Sequence, residues 1–143
     1  MLADFRLYRD TMLSDREYRA LARFRHALRV FVRFSEEAAR AHGVTPAQHQ
    51  LLLAIRGHDG VTAPTVGDMA DALQQQHHSV VELVNRAADA GLVVRTADPD
   101  DRRRQRLALT HRGQTVIEEL STAHRAELRR YRTELLAALE TLG

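Results

Sequence analysis

Between positions 95 and 112 lie six arginines, Arg95, Arg102, Arg103, Arg104, Arg106 and Arg112, against three acids, Asp98, Asp100 and Asp101. A guanidinium keeps its charge throughout the working pH range and offers forked N–H donors that suit phosphate oxygens. The segment is net +3, leaving fifteen arginines against sixteen acids elsewhere, so the basic character is local. A local basic element on a balanced chain suits one surface that meets a polyanion; the plain alternative is a solvated turn tip. Upstream, Gln75, Gln76, His77, His78, Ser79 and Asn85 supply amide, imidazole and hydroxyl groups that donate to and accept from base edges or phosphates. Arg86 suits a phosphate or a neighbouring acid. Glu82 stands among them, repelling phosphates yet able to accept from a cytosine amino group, so it either specifies a base or weakens binding. Each of these positions also reads as ordinary solvated helix surface.

Other chemistries find less material. Cysteine is absent, which removes disulfides, thiolate metal ligands and thiol nucleophiles together. All 21 basic residues are arginine, so no lysine can act as a base or form a Schiff base. Of the eight histidines, His77 and His78 are adjacent and would point to different helix faces, while His42 and His49 straddle a Gly and a Thr-Pro with no second pair at ligand spacing. Each reads as structural or solvent-facing, and a site assembled between helices stays open. Glu36-Glu37 and Glu118-Glu119 read as solvated faces, and neither a glycine-rich phosphate loop nor a nucleophile elbow is found. The expectation is a protein that is not an enzyme and uses no metal and no cofactor.

The elements that must position the polar groups follow from periodicity. At 143 residues the chain suits about one domain, and 44% hydrophobic with 28% charged residues is ordinary for a folded, soluble protein. The start, residues 1–10, mixes both charge signs, and no run approaches the roughly 18 apolar residues of a membrane span; a cytoplasmic protein without a membrane partner is expected. From Ser14 to about His42, Leu21, Phe24, Leu28, Phe31 and Ala38 keep the spacing of one helical face, and Gly43 ends it. Thr45-Pro46 caps a second helix to about Arg56, and Thr65 caps a third through Leu73. A polar stretch, Gln74 to His78, is expected to separate it from a fourth helix that stops at Gly91, the helix-turn-helix arrangement. Residues 92–96 and 104–109 alternate as a β-hairpin around a turn at 97–101. Thr110 then caps a last helix of about 30 residues, roughly 45 Å long, whose stripe of Ile117, Leu120, Leu128, Tyr131, Leu135, Ala138 and Leu142 is too long to be covered by so small a fold. A partner chain is expected there.

Helix, helix, turn, helix, then a hairpin with an arginine-rich tip is the order of a winged helix-turn-helix. The run from Asp98 to Thr110, followed by Arg112-Gly113, resembles the wing signature of the MarR (multiple-antibiotic-resistance regulator) family: an Asp, a variable residue, an Arg, then alternating apolar residues into Leu-Thr and a Gly. Asn85-Arg86 and Gly91-Leu-Val93 extend the likeness, and the element order agrees over roughly residues 16–142. The resemblance implies a fourth helix in the DNA major groove and terminal helices interleaved into a homodimer. It makes Asp101 the residue that orients the wing and Arg103 the minor-groove arginine, with Arg102 and Arg104 beside it on phosphates. It departs from the family's habit at the start of the fourth helix, where His78, Ser79, Val81 and Glu82 replace small hydroxyl and basic residues.

The expected architecture is thus α+β, mainly α: a single domain over 1–143, with dimerisation helices at about 14–42 and 111–143 around a winged helix-turn-helix core at about 45–110. The expected function is a homodimeric regulator, repressing transcription from a palindromic site on double-stranded DNA. The resemblance adds a small aromatic or phenolic effector, sometimes anionic, which His26, Arg25, Arg29 and Arg33 of the first helix and His49 of the second are suited to meet. Leu128, Tyr131, Leu135 and Leu142 are the expected dimer contacts. The competing reading is a winged helix that binds proteins, its reading head weakened by Val81 and Glu82.

Overall fold

The computed structural model describes residues 12–143, so the mixed-charge start falls outside the described residues. In chain order the elements are α1 (Asp15–Ala41), α2 (Pro46–Arg56), α3 (Val66–Leu73), α4 (His77–Asp89), β1 (Val93–Ala97), β2 (Gln105–Leu109) and α5 (His111–Leu142). This is the mainly helical winged-helix order that the periodicity predicts.

Local chemistry accounts for most boundaries. Both α2 and α3 begin with a reciprocal capping box: Thr45 Oγ1 accepts from the Gln48 N–H at 3.1 Å while Gln48 Oε1 accepts from the Thr45 N–H at 2.9 Å. Thr65 and Asp68 repeat the arrangement at 3.2 and 2.8 Å, satisfying donors that a helix start otherwise leaves open. The Thr65 backbone N–H thereby holds the Asp68 carboxyl below the ordinary carboxylate range. The turn after α3 is shorter than its polar sequence suggests. Gln74, at φ 53°, takes the left-handed turn, and α4 already starts at His77, so only residues 74–76 separate the helices. His77 and His78 are exposed and belong to the helix, where solvent satisfies their polarity without breaking the backbone ladder.

The described residues form two compact units: Ser35–His124, and residues 12–34 together with Arg125–Gly143. The first has the hydrophobic core. Leu51, Leu52 and Ile55 of α2, Met69 of α3, Val80, Val84 and Ala87 of α4, Leu92, Val93, Leu107, Val116, Ile117 and Leu120 are buried together. β1 and β2 pair antiparallel from Val93 opposite Leu109 to Ala97 opposite Gln105. The pairing is carried one step further by a bridge from Arg106 to Thr65, with the Leu107 N–H donating to the Pro64 carbonyl at 2.8 Å. The joint between hairpin and α5 is equally specific. Thr110 Oγ1 donates to the Gly91 carbonyl at 2.6 Å and accepts from the Gly113 N–H at 3.0 Å. A Cβ at Gly113 would lie 2.1 Å from the Leu92 carbonyl oxygen, so only glycine allows that approach.

In the second unit, Ala20, Ala27 and Ala138 are buried. Large apolar side chains stay open there: Tyr18, Leu21 and Val32 on α1, and Leu128, Leu136 and Leu139 on α5, each 40–58% exposed. Of the expected dimer contacts, Leu128 is exposed while Tyr131, Leu135 and Leu142 are half-buried within the chain itself. No helix among the described residues is long and apolar enough to cross a membrane.

Candidate nucleic-acid interface

The wing is the hairpin of β1 and β2 with the turn between them. Two aspartates shape that turn by accepting from backbone N–H groups two residues on: Asp98 Oδ1 from Asp100 at 2.9 Å and Asp101 Oδ1 from Arg103 at 3.0 Å. The Arg104 N–H donates to the Asp101 carbonyl, and the Asp98 N–H to the Arg104 carbonyl, both at 3.0 Å, closing the turn at its base. Arg102, Arg103 and Arg104 project from it, exposed. Arg104 Nε lies 3.9 Å from Asp101 Oδ2, a loose surface pair worth little in water. Arg106 differs from its neighbours. Its guanidinium is turned inward on Asp98 and on the segment before α3, a placement that counting charges does not reveal. The legible signal was the Asp98-Pro-Asp start of the turn, a pattern that fixes a carboxylate on nearby backbone.

Beside the wing, α4 presents one buried and one open face. Val80, Val84 and Ala87 enter the core, while His77, His78, Val81, Glu82 and Arg86 are exposed and Ser79 and Asn85 half-buried. Gln75 and Gln76 are exposed in the turn ahead of them. Unlike α2 and α3, α4 has no side-chain cap: Gln76 is its N-cap residue and makes no capping hydrogen bond. The first N–H groups of α4, at the positive end of its dipole, are therefore left without a side-chain acceptor from the cap residue, a helix start that suits an anion. Asn85 is committed otherwise, since its Oδ1 accepts from Arg95 Nη1 of β1, a bond that ties α4 to the wing. A cleft of about 720 Å³ opens between these parts, walled by Asp68 and Asp71 of α3, by Gln75 and His77, and by Arg102, Arg103 and Arg104. Its cations lie on the wing side and its acids on the α3 side.

The expected effector residues fall into different surroundings. His26, Arg29 and Arg33 are exposed on α1 in one unit, whereas His49 is buried in the other at 2% exposure. The ring of His49 packs 4.7 Å from that of His124, and its Nδ1 has no hydrogen-bond partner. Burial, with His124 and His42 nearby, lowers its pKa to about 4, so it is neutral at pH 7. His124 donates from Nδ1 to the Leu120 carbonyl at 2.6 Å, which leaves Nε2 to accept from Ser35 Oγ at 2.7 Å. His42 donates from Nδ1 to the Ala38 carbonyl at 2.8 Å and turns Nε2 toward Glu119 Oε2 at 3.6 Å. This histidine group joins three helices and was not visible as a group in the sequence, where His124 lies far from the other two.

Comparison with known proteins adds a frame to this geometry. The model of the MarR family matches residues 42–104, which include the whole helix-turn-helix and the wing turn. A putative transcriptional regulatory protein for the hcr operon of Thauera aromatica is 29% identical over 99 residues, 69% of this chain; the chain spans 58% of that relative's length. A crystal structure of the MarR family transcription regulator SP03579 superposes with a TM-score of 0.72 at 26% identity, over 86% of this chain and 83% of that one. S. aureus MepR, in a crystal structure of its DNA complex, shares the fold with a TM-score of 0.69 at 22% identity, over 78% of this chain and 81% of that one.

Proposed function

We propose that this chain, which the MarR family model matches over residues 42–104, is a transcriptional regulator of that family and binds double-stranded DNA through α4 and the wing. The observation that carries the reading is the pairing of an uncapped α4 N-terminus with three exposed wing arginines across one cleft. Such a surface offers backbone N–H groups and guanidinium groups together to a phosphate backbone. In this reading Arg103 enters the minor groove, Arg102 and Arg104 hold phosphates, and His77, His78, Ser79, Glu82 and Arg86 face the major groove, with Gln75 and Gln76 at the flanking phosphates. The complex of MepR with DNA supports the same use of this fold.

The regulator acts as a homodimer on a roughly two-fold symmetric site, its two α4 helices about 34 Å apart. The support is the set of large apolar side chains left open on α1 and α5. We assign it the role of a repressor relieved by a small aromatic or phenolic effector, sometimes anionic, with the exposed His26, Arg29 and Arg33 of α1 as its candidate contacts, acting by its differential affinity for DNA-competent and incompetent states. The test is selection of duplexes from a random-sequence pool, followed by fluorescence anisotropy across a salt series. Tight binding whose logarithm falls steeply with that of salt is expected, and Arg103→Ala is expected to weaken it at least tenfold, reflecting one lost guanidinium contact worth about 1–3 kcal/mol. A flat salt dependence with no selected sequence would favour the protein-binding winged helix instead.

A further inference from the structure

The most buried carboxylate of the wing is bound by Arg106, which is half-buried where the other wing arginines are exposed. Asp98 is 3% exposed, and both its oxygens are engaged. Oδ1 accepts from the Asp100 N–H at 2.9 Å, and Oδ2 accepts from Arg106 Nη2 at 2.8 Å and Nε at 3.1 Å. The Asp100 N–H, aided by Arg106, holds the Asp98 carboxyl below the usual carboxylate range. Arg106 Nη1 then reaches the other way, donating to Thr62 Oγ1 at 3.1 Å and to the Ala63 carbonyl at 2.7 Å. All three guanidinium nitrogens thus bond within the protein, so Arg106 is spent as a phosphate ligand. One side chain links the exit of β1, the body of β2 and the segment that leads into α3.

We propose that Asp98 and Arg106 are positioning residues for DNA reading: neither touches the nucleic acid, and together they fix the wing tip, and with it Arg103, relative to the start of α3. The proposal rests on the reading of the wing as a DNA-binding element. Its physical basis is preorganisation. A tip that is already ordered loses less conformational freedom when its arginine enters a groove, so more of the contact energy appears as affinity.

Electrostatics makes the test sharp, because the two accounts of Asp98 differ in sign. An acid that merely sits near DNA repels it, so removing its charge strengthens binding; an acid that positions the wing weakens binding when neutralised. Asp98→Asn keeps the shape and the Oδ1 acceptor for Asp100 while discharging the partner of Arg106. With the full chain and a duplex selected by the unaltered protein, Asp98→Asn is expected to weaken binding about tenfold and to add little when Arg103 is already alanine, as coupled residues do. Arg106→Gln serves as the second variant and is expected to show the same coupling to Arg103→Ala. Amide hydrogen exchange supplies a readout that needs no DNA: both variants should speed exchange at Asp98, Arg104 and Leu107 while melting temperature and core protection hold. Equal or tighter DNA binding by Asp98→Asn, or losses that add fully to Arg103→Ala, overturn the proposal. Should the unaltered chain bind no duplex at all, the DNA reading falls, and unchanged exchange at those three amides removes the positioning role as well.

Discussion

His49 shows how a single side chain couples this fold to pH. It is buried and neutral in the folded chain, with a pKa lowered to about 4, whereas the unfolded chain binds that proton near 6.5. The folded form therefore holds fewer protons between those values, so stability is complete above about pH 6.5 and falls as the pH drops toward 4, by at most about 3 kcal/mol. Below that point His49 contributes no further loss. Urea denaturation at pH 7 and at pH 4.5 checks this, with His49→Gln expected to flatten the difference; an equally steep difference in the variant would place the proton elsewhere. Gly113 is a second residue-scale case. Its absent side chain lets the Leu92 carbonyl come within what would be 2.1 Å of a Cβ, so Gly113→Ala must push the hairpin off α5. Backbone has no flexible end to yield, and a loss of about 2 kcal/mol or more is expected in thermal unfolding.

At the scale of elements, α4 separates stability from function. Its missing side-chain cap leaves N–H groups open, where α2 and α3 close theirs with threonine boxes. Gln76→Asp should cap the helix and stabilise the chain by about 1 kcal/mol. The same carboxylate would occupy the place proposed for a phosphate, so DNA affinity should fall at least tenfold, measured by anisotropy beside the melting curve. A variant that gained both stability and affinity would remove the α4 N-terminus from the interface. Elements of this kind were largely legible in the sequence, because proline, threonine and glycine mark ends by local chemistry: Thr45-Pro46, Thr65 and Gly91 lie where caps and turns occur. The start of α4 lies two residues earlier than the polar stretch Gln74–His78 suggests. His77 and His78 look like loop residues, yet an exposed helix start accepts polar side chains freely, and the ending of α3 at a left-handed Gln74 carries no strong signal. The grouping of Arg106 with Asp98, Thr62 and Ala63, and of His49 with His124, depends on tertiary approach, which no local pattern encodes.

For the whole molecule, the distribution of exposed apolar side chains decides which substitution tests self-association. Leu135 keeps the stripe in the sequence, but it is half-buried within its own chain, so a charge there disturbs the fold as well as any partner. Leu136 and Leu139 are 46% and 50% exposed and touch on neither difficulty to the same degree. Leu136→Asp with Leu139→Asp should lower the sedimenting mass to that of a monomer while preserving helical content; an intact dimer in that variant would move the interface off this face of α5. The arginine-only chemistry of the chain also bears on how its state can be read. Trypsin cleaves after arginine where backbone is open, and most arginines among the described residues lie on helices, whose hydrogen-bonded backbone resists a protease. Arg102, Arg103 and Arg104 instead share one exposed turn. Among the described residues that turn is the expected first point of nicking in the free protein and the part expected to be shielded on a duplex, so brief digestion turns the wing into a built-in gauge of occupancy, with no label attached.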